Sequence, residues 1–135
     1  MSQEFLLQLR AHLSPYGIIM YNTTDSDIVN KTGLSTFPYG WRVYNSLILS
    51  DAPMPIDRTR LLKTLSAYRI DNKLVFDLSR ATDTAALARI AGEFDPAQEF
   101  STSTLLEDRE HYLARLMGVP ILTDDNMLIE WLRPK

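Results

Sequence analysis

Apolar residues begin at helical spacing near the start of the chain and then close up into an unbroken run. Phe5, Leu6, Leu9 and Leu13 share one helical face, with Ser2 placed as the N-cap. Ser14-Pro15-Tyr16-Gly17 stops that helix. From Gly17 to Tyr21 the chain is apolar without alternation, which predicts a strand buried on both faces. Asn22 to Asp25 forms the turn after it, and Asp25 or Ser26 is placed to cap a short helix through Lys31.

The pattern changes after the turn-rich stretch Thr36 to Gly40. Between Trp41 and Ser50, Val43, Leu47 and Leu49 alternate with Tyr44, Ser46 and Ile48, which predicts one strand, antiparallel to at least one neighbour. Asp51-Ala52-Pro53-Met54-Pro55 reads as a rigid connector. Asp57 then caps a helix whose apolar face is Leu61, Leu62, Leu65 and Tyr68. Lys73 to Asp77 reads as a short strand or extended segment. Thr82 or Asp83 opens a helix carrying Ala86, Leu87, Ile90 and Phe94, broken by Phe94-Asp95-Pro96-Ala97.

Thr104-Leu105-Leu106-Glu107 fits a capping box. The helix expected after it runs to about Met117, presents Leu105, Tyr112, Leu113 and Leu116, and has Gly118 at its C′ position. Val119 to Leu122 is extended, Thr123 to Asn126 turns, and a short terminal segment ends at Trp131. These elements predict one compact α/β domain over residues 1–135, a small mixed sheet packed with helices.

Composition narrows the function classes. The chain has 135 residues, 45% hydrophobic and 23% charged, an ordinary globular balance. Its net charge of -3 and dispersed basic residues give no electrostatic reason to expect nucleic acid. Without cysteine there is no disulfide, thiolate nucleophile or thiolate metal site. No apolar run approaches the ~20 residues of a membrane span, and Met-Ser-Gln-Glu lacks the basic start of a signal peptide. A cytoplasmic chain without membrane contact of its own is expected.

Few residues carry candidate chemistry. The glycines, at 17, 33, 40, 92 and 118, form no G-x-G-x-x-G and no phosphate-cradling loop. His12 and His111 stand alone inside predicted helices, and no Ser, His and acid trio has recognisable spacing. Asp124 and Asp125 form a tight acidic pair near the end of an extended segment, with Glu130 further on. Such a pair can bind a cationic amine or a metal, or move a proton if the two pKa values split. It can equally be turn chemistry. Asn22, Thr23 and Thr24 place neutral hydrogen-bonding groups where α/β sheets open their clefts, or make ordinary Asx and ST turns.

Several of these stretches resemble the spermidine synthase-like proteins, a family with a class I methyltransferase-type, Rossmann-like fold. Glu4-Phe5-Leu6, Leu9-Arg10 and His12 to Thr24 are similar to that family's helix, proline-glycine turn and fifth strand. Thr36 to Tyr39, Val43 and Asn45 to Asp51 are similar to its next strand. Val119 to Met127 with Glu130-Trp131 is similar to a terminal Thr-Asp-Asp plus Glu pattern, found in a subgroup often fused to membrane-spanning segments. Tyr16 departs from the pattern, standing where the family turn usually has a second glycine.

The resemblance implies the C-terminal half of the fold, with Tyr21, Asn22 and Thr23 on the substrate side and Asp124 and Asp125 as further substrate-binding candidates. The family's S-adenosyl-binding loop, ribose-binding acid and catalytic acid would precede Met1. A chain beginning here is therefore expected to lack cofactor and catalytic residues of its own, an S-adenosyl compound being implied only for a longer parent. Loss of the family's fourth strand would bare the edge of Gly17 to Tyr21. The expected partners are the missing N-terminal half or a second copy joined through that edge. Three functions follow: an inactive C-terminal part of a transferase, a stand-alone binding or assembly module, or a small enzyme using Asp124 and Asp125.

Overall fold

A computed structural model describes residues 1–92 and 105–128. The chain is an α/β protein, with five α-helices and a four-stranded sheet among the described residues. It divides into two units, Met1–Met54 with Asp108–Lys135, and Pro55–Glu107.

The first unit opens with α1 (Gln3–Ala11), capped by Ser2, whose Oγ accepts the Phe5 N–H. Pro15 and Tyr16 turn the chain, Tyr16 adopting φ 64. Strand β1 (Ile18–Asn22) follows, then α2 (Asp27–Thr36), β2 (Tyr39–Val43) and β3 (Ser46–Ser50). In this unit β3 lies between β1 and β2; Leu106–Asp108, which spans the boundary of the two units, is the short strand β6. β3 pairs antiparallel with both β1 and β2, setting Met20 and Trp41 opposite Ile48, and Tyr21 and Arg42 opposite Leu47. Helix α5 (Arg109–Arg115) then packs on α2 and β2.

Four expectations change here. β1 is not buried on both faces: it is an edge strand whose Ile19 and Tyr21 turn inward, while Ile18 and Met20 remain 58% and 63% exposed. An apolar run reports hydrophobicity at every position, but its burial depends on whether a neighbour covers each face. Trp41 to Ser50 is not one strand, because Tyr44, at φ 56, turns the chain between β2 and β3. The apolar alternation belongs to β3, while in β2 the inward positions are Gly40 and Arg42. α2 runs past Lys31 to Thr36 and stops where Pro38 disfavours helical backbone at Phe37. Near the C-terminus, Leu106 and Glu107 are strand residues, and Asp108 caps α5 in place of Thr104, which lies outside the described residues.

The core gathers Leu6, Leu34, Phe37, Leu47, Leu49, Tyr112 and Leu116. α2 sits close over the sheet because Gly33 leaves room there; a Cβ would collide with the Tyr21 hydroxyl and lie 2.8 Å from Leu47 Cδ1. The last carbonyls of a helix need partners from outside it. Here Arg10 donates to Thr36 O at 2.8 Å, and Arg109 Nε donates to Leu34 O and Phe37 O at 2.8 and 3.0 Å. Both cations also suit the negative end of the helix dipole.

In the second unit, α3 (Arg58–Ser66) is capped as expected by Asp57, which accepts the Arg60 N–H at 2.9 Å. A hairpin of β4 (Arg69–Ile70) and β5 (Lys73–Leu74) turns through Asp71 and Asn72, at φ 49 and 62. The strand expected over Lys73 to Asp77 is thus shorter. Helix α4 (Ala81–Ala91) buries Leu87 and Ala91, and Arg58 donates to the carbonyls of Ala91 and Gly92 at its end. The break expected at Phe94 to Ala97 and the segment ending at Trp131 lie outside the described residues.

Leu47 is fully buried on the central strand, whereas Ile48 next to it faces the less covered side. Leu47→Ala should lower the unfolding free energy by about 2–5 kcal/mol and Ile48→Ala by clearly less, read from urea midpoints at constant m. Equal losses would contradict the sidedness of β3.

Candidate functional site

The turn leaving β1 is held by its own backbone. Thr23 is buried and donates to Asn45 O twice, from its N–H at 2.7 Å and its Oγ1 at 2.9 Å. Asn22 Oδ1 accepts the Thr24 N–H at 2.6 Å, an Asx turn that leaves Asn22 exposed. Thr24 and Asp25 take φ 51 and 59, so a side chain occupies a left-handed position at each. The turn delivers the chain to Ser26 and the start of α2, beyond the carboxyl end of β1.

Behind the turn lies a polar layer that the pattern did not anticipate. Arg42, 2% exposed, points inward from β2 and bonds Asp25 Oδ1 at 3.0 Å. Its guanidinium lies 4.9 Å from the Tyr112 ring centroid, and that of Arg115 lies 4.8 Å away. Aromatic faces attract cations in this arrangement. The Tyr112 hydroxyl accepts a hydrogen bond from Asn30 Nδ2 at 2.7 Å. Burial, above all, pushes the Tyr112 hydroxyl up to about 12; the carboxylates of Asp27 and Asp25 raise it further, and Arg42 and Arg115 oppose the rise. Tyr112 therefore stays neutral and serves as a hydrogen-bonding plate between two cations.

Of the candidates on β1, Tyr21 turns inward with its hydroxyl buried against Gly33 and without a hydrogen-bond partner. Burial raises its pKa strongly. Thr23 spends its hydroxyl on Asn45. Asn22 is the member of this trio whose side chain reaches solvent while keeping its amide nitrogen available.

Asp124 and Asp125 lie in a short 3₁₀ turn, both exposed. That turn is tied by Asn126, whose Oδ1 accepts the Thr123 N–H at 2.7 Å and whose Nδ2 donates to Ile121 O at 2.9 Å. The Asp124 N–H donates to Glu4 Oε2 at 3.0 Å, which fastens the turn to α1. The two carboxylates make no hydrogen bond or ion pair with residues 21–23. Among the described residues no three His, Asp or Glu side chains converge as metal ligands do.

His111 is not isolated: its Nδ1 lies 2.5 Å from Asp108 Oδ2, and its N–H donates to Asp108 Oδ1 at 2.9 Å. An open hollow of about 420 Å³, lined by Leu13, Ser14, Pro15, Tyr16, Asp51 and Ala52, sits at the amino end of β1, away from the Asn22–Thr24 turn. Comparison with protein-family models, with curated proteins and with solved structures finds no match for this chain.

Two outcomes follow from this geometry. Because the Tyr21 hydroxyl is buried without a partner, Tyr21→Phe should leave stability unchanged or raise it by up to ~1 kcal/mol; a loss above that in urea melts would show a bond the structure does not contain. Burial alone would raise the Asp108 carboxyl, but hydrogen bonds from the His111 N–H and ring, the charge of that ring and the Glu110 N–H outweigh it and hold the pKa below its ordinary value. The stabilisation is then present above the unfolded value of about 3.9 and is lost as pH falls through the folded one. Asp108→Asn should destabilise the chain at neutral pH, with the gap to wild type closing in acid; a gap independent of pH would contradict it.

Proposed function

We propose that this chain is the substrate-side, C-terminal portion of a spermidine synthase-like transferase with a Rossmann-like sheet, and that it has no transferase activity alone. The observation that carries the reading is the exposed, apolar edge of β1, entered from α1 through the Pro15–Gly17 turn. That is where the fourth strand of the resembled fold would pair. The entry from α1 through the turn into β1 follows the helix and strand on which the resemblance rests, whereas the stretch matched to its next strand folds as the β2–β3 hairpin.

In this role Asn22 offers an exposed amide beside the carboxyl end of β1, with Thr23 holding the turn rigid. Tyr21 supports the position from below. Asp124 and Asp125 supply exposed negative charge of the kind that attracts a polyamine. The residues present do not fit an S-adenosyl compound. The turn after β1 is Asn22-Thr23-Thr24-Asp25-Ser26, without a glycine where backbone would have to approach the ligand closely, and Asp25 sits there already engaged by Arg42. Cofactor binding and proton abstraction therefore fall to another part of the parent, and a cytoplasmic setting goes with that assignment. Among the described residues no helix is long and apolar enough to cross a membrane.

A second reading, an assembly module without catalysis, is favoured by the β4–β5 hairpin, which leaves Tyr68, Ile70, Leu74 and Val75 exposed. Intact mass spectrometry on the polypeptide immunoprecipitated from its own cells separates the two. A species well above 15.4 kDa is expected for part of a transferase. A species of 15.4 kDa would overturn that reading and leave the assembly module.

A further inference from the structure

The hydrogen bond from the Thr23 N–H to Asn45 O fixes the phase of the whole β1–β3 ladder. In an antiparallel pair, the residues that exchange bonds with the partner alternate with residues whose N–H and C=O point the other way. Counting back from Thr23, Tyr21 and Ile19 face β3, opposite Leu47 and Leu49. Ile18, Met20 and Asn22 therefore direct their backbone groups away from β3, towards an edge that no described strand occupies. Ile18 and Met20 also keep most of their side-chain surface in water, as does Tyr16 just before them.

Natural edges are guarded by lysine, proline, bulges or short length. From Gly17 to Thr24 this one has no charged residue and no proline, and its pairing with β3 runs without a bulge. We propose that in the isolated chain of 135 residues β1 pairs with β1 of a second copy, antiparallel, with Met20 on the two-fold axis. In that register Met20 meets Met20 of the other copy, and Ile18 meets Asn22. Every outward N–H on one copy then faces an outward C=O on the other. Adjacent sides of the two sheets bring Ile18, Met20 and the Ile48–Trp41 pair into one apolar surface. The segment is complementary to itself, with no like charges brought together, and this favours a second copy over an unrelated strand.

The inference rests on the open edge and not on the transferase assignment, so the two fail separately. The chain has no cysteine, which allows single-cysteine variants to report the register. Met20→Cys and Ile18→Cys, both at exposed positions, are each oxidised in a glutathione buffer and run on non-reducing gels. Directly opposed residues that exchange hydrogen bonds lie about 5.5 Å apart at Cα, within the reach of a disulfide. Ile18 stands four residues out of register with its own copy, roughly 14 Å away at about 3.4 Å per residue.

Met20→Cys should therefore give a covalent dimer and Ile18→Cys should not. Sedimentation equilibrium at tens of micromolar should show the wild type as a dimer, and Met20→Lys, with an unchanged melting temperature at low concentration, as a monomer. A monomeric wild type, a dimer that survives Met20→Lys, or equal cross-linking at both positions would each overturn the proposal.

Discussion

The pairing of β3 with β1 on one side and β2 on the other organises the first unit, and the inward residues of β3, Leu47 and Leu49, are wholly buried beneath α2. Hydrogen bonds to β1 and β2 fix where those residues point, and their packing fixes how close α2 can lie. Gly33 is the point of closest approach, wedged between the Tyr21 hydroxyl and Leu47. The two ends of the chain close on the same frame. Arg10 from α1 and Arg109 from α5 both bond carbonyls at the end of α2, and Gln3 N–H bonds Leu122 O at 2.7 Å. Segments far apart in sequence thus meet around one helix and one strand.

The polar layer of Asp25, Arg42, Tyr112 and Asn30 is the second organising feature. Its members come from the turn after β1, from β2, from α5 and from α2. A buried guanidinium is costly unless charge, hydrogen bonds and an aromatic face accompany it. Asp25 gives Arg42 an opposite charge and a hydrogen bond, Tyr112 gives it an aromatic face, and the Asp25 contact ties the turn after β1 to β2.

Local signals were legible in the sequence. Ser2 and Asp57 cap the helices assigned to them, and Ser26 stands at the N-cap of α2. Pro15 and Pro38 mark real boundaries. What failed depended on neighbours. Nothing in Ile-Ile-Met-Tyr distinguishes a central strand from an edge strand, because the difference lies in whether a second strand pairs with it. Tyr44 is a poor turn residue by propensity, so the hairpin between β2 and β3 left little trace. Reading through that turn hid the inward register of Arg42, and with it the polar layer. Asp108 gives a cap signal as strong as Thr104 does, and it is Asp108 that accepts the His111 N–H at the start of α5.

Among the described residues β1 is paired on one side only, in the phase set by Thr23. Amide hydrogen exchange on the dilute chain, resolved by residue, tests this most directly. Ile19 and Tyr21 should be protected together with Leu47 and Leu49, while Ile18, Met20 and Asn22 exchange much faster. Uniform protection from Ile18 to Asn22 that persists unchanged on dilution would mean that another segment of the same chain pairs with the outer edge of β1. The open edge, and both readings of its use, would then be wrong.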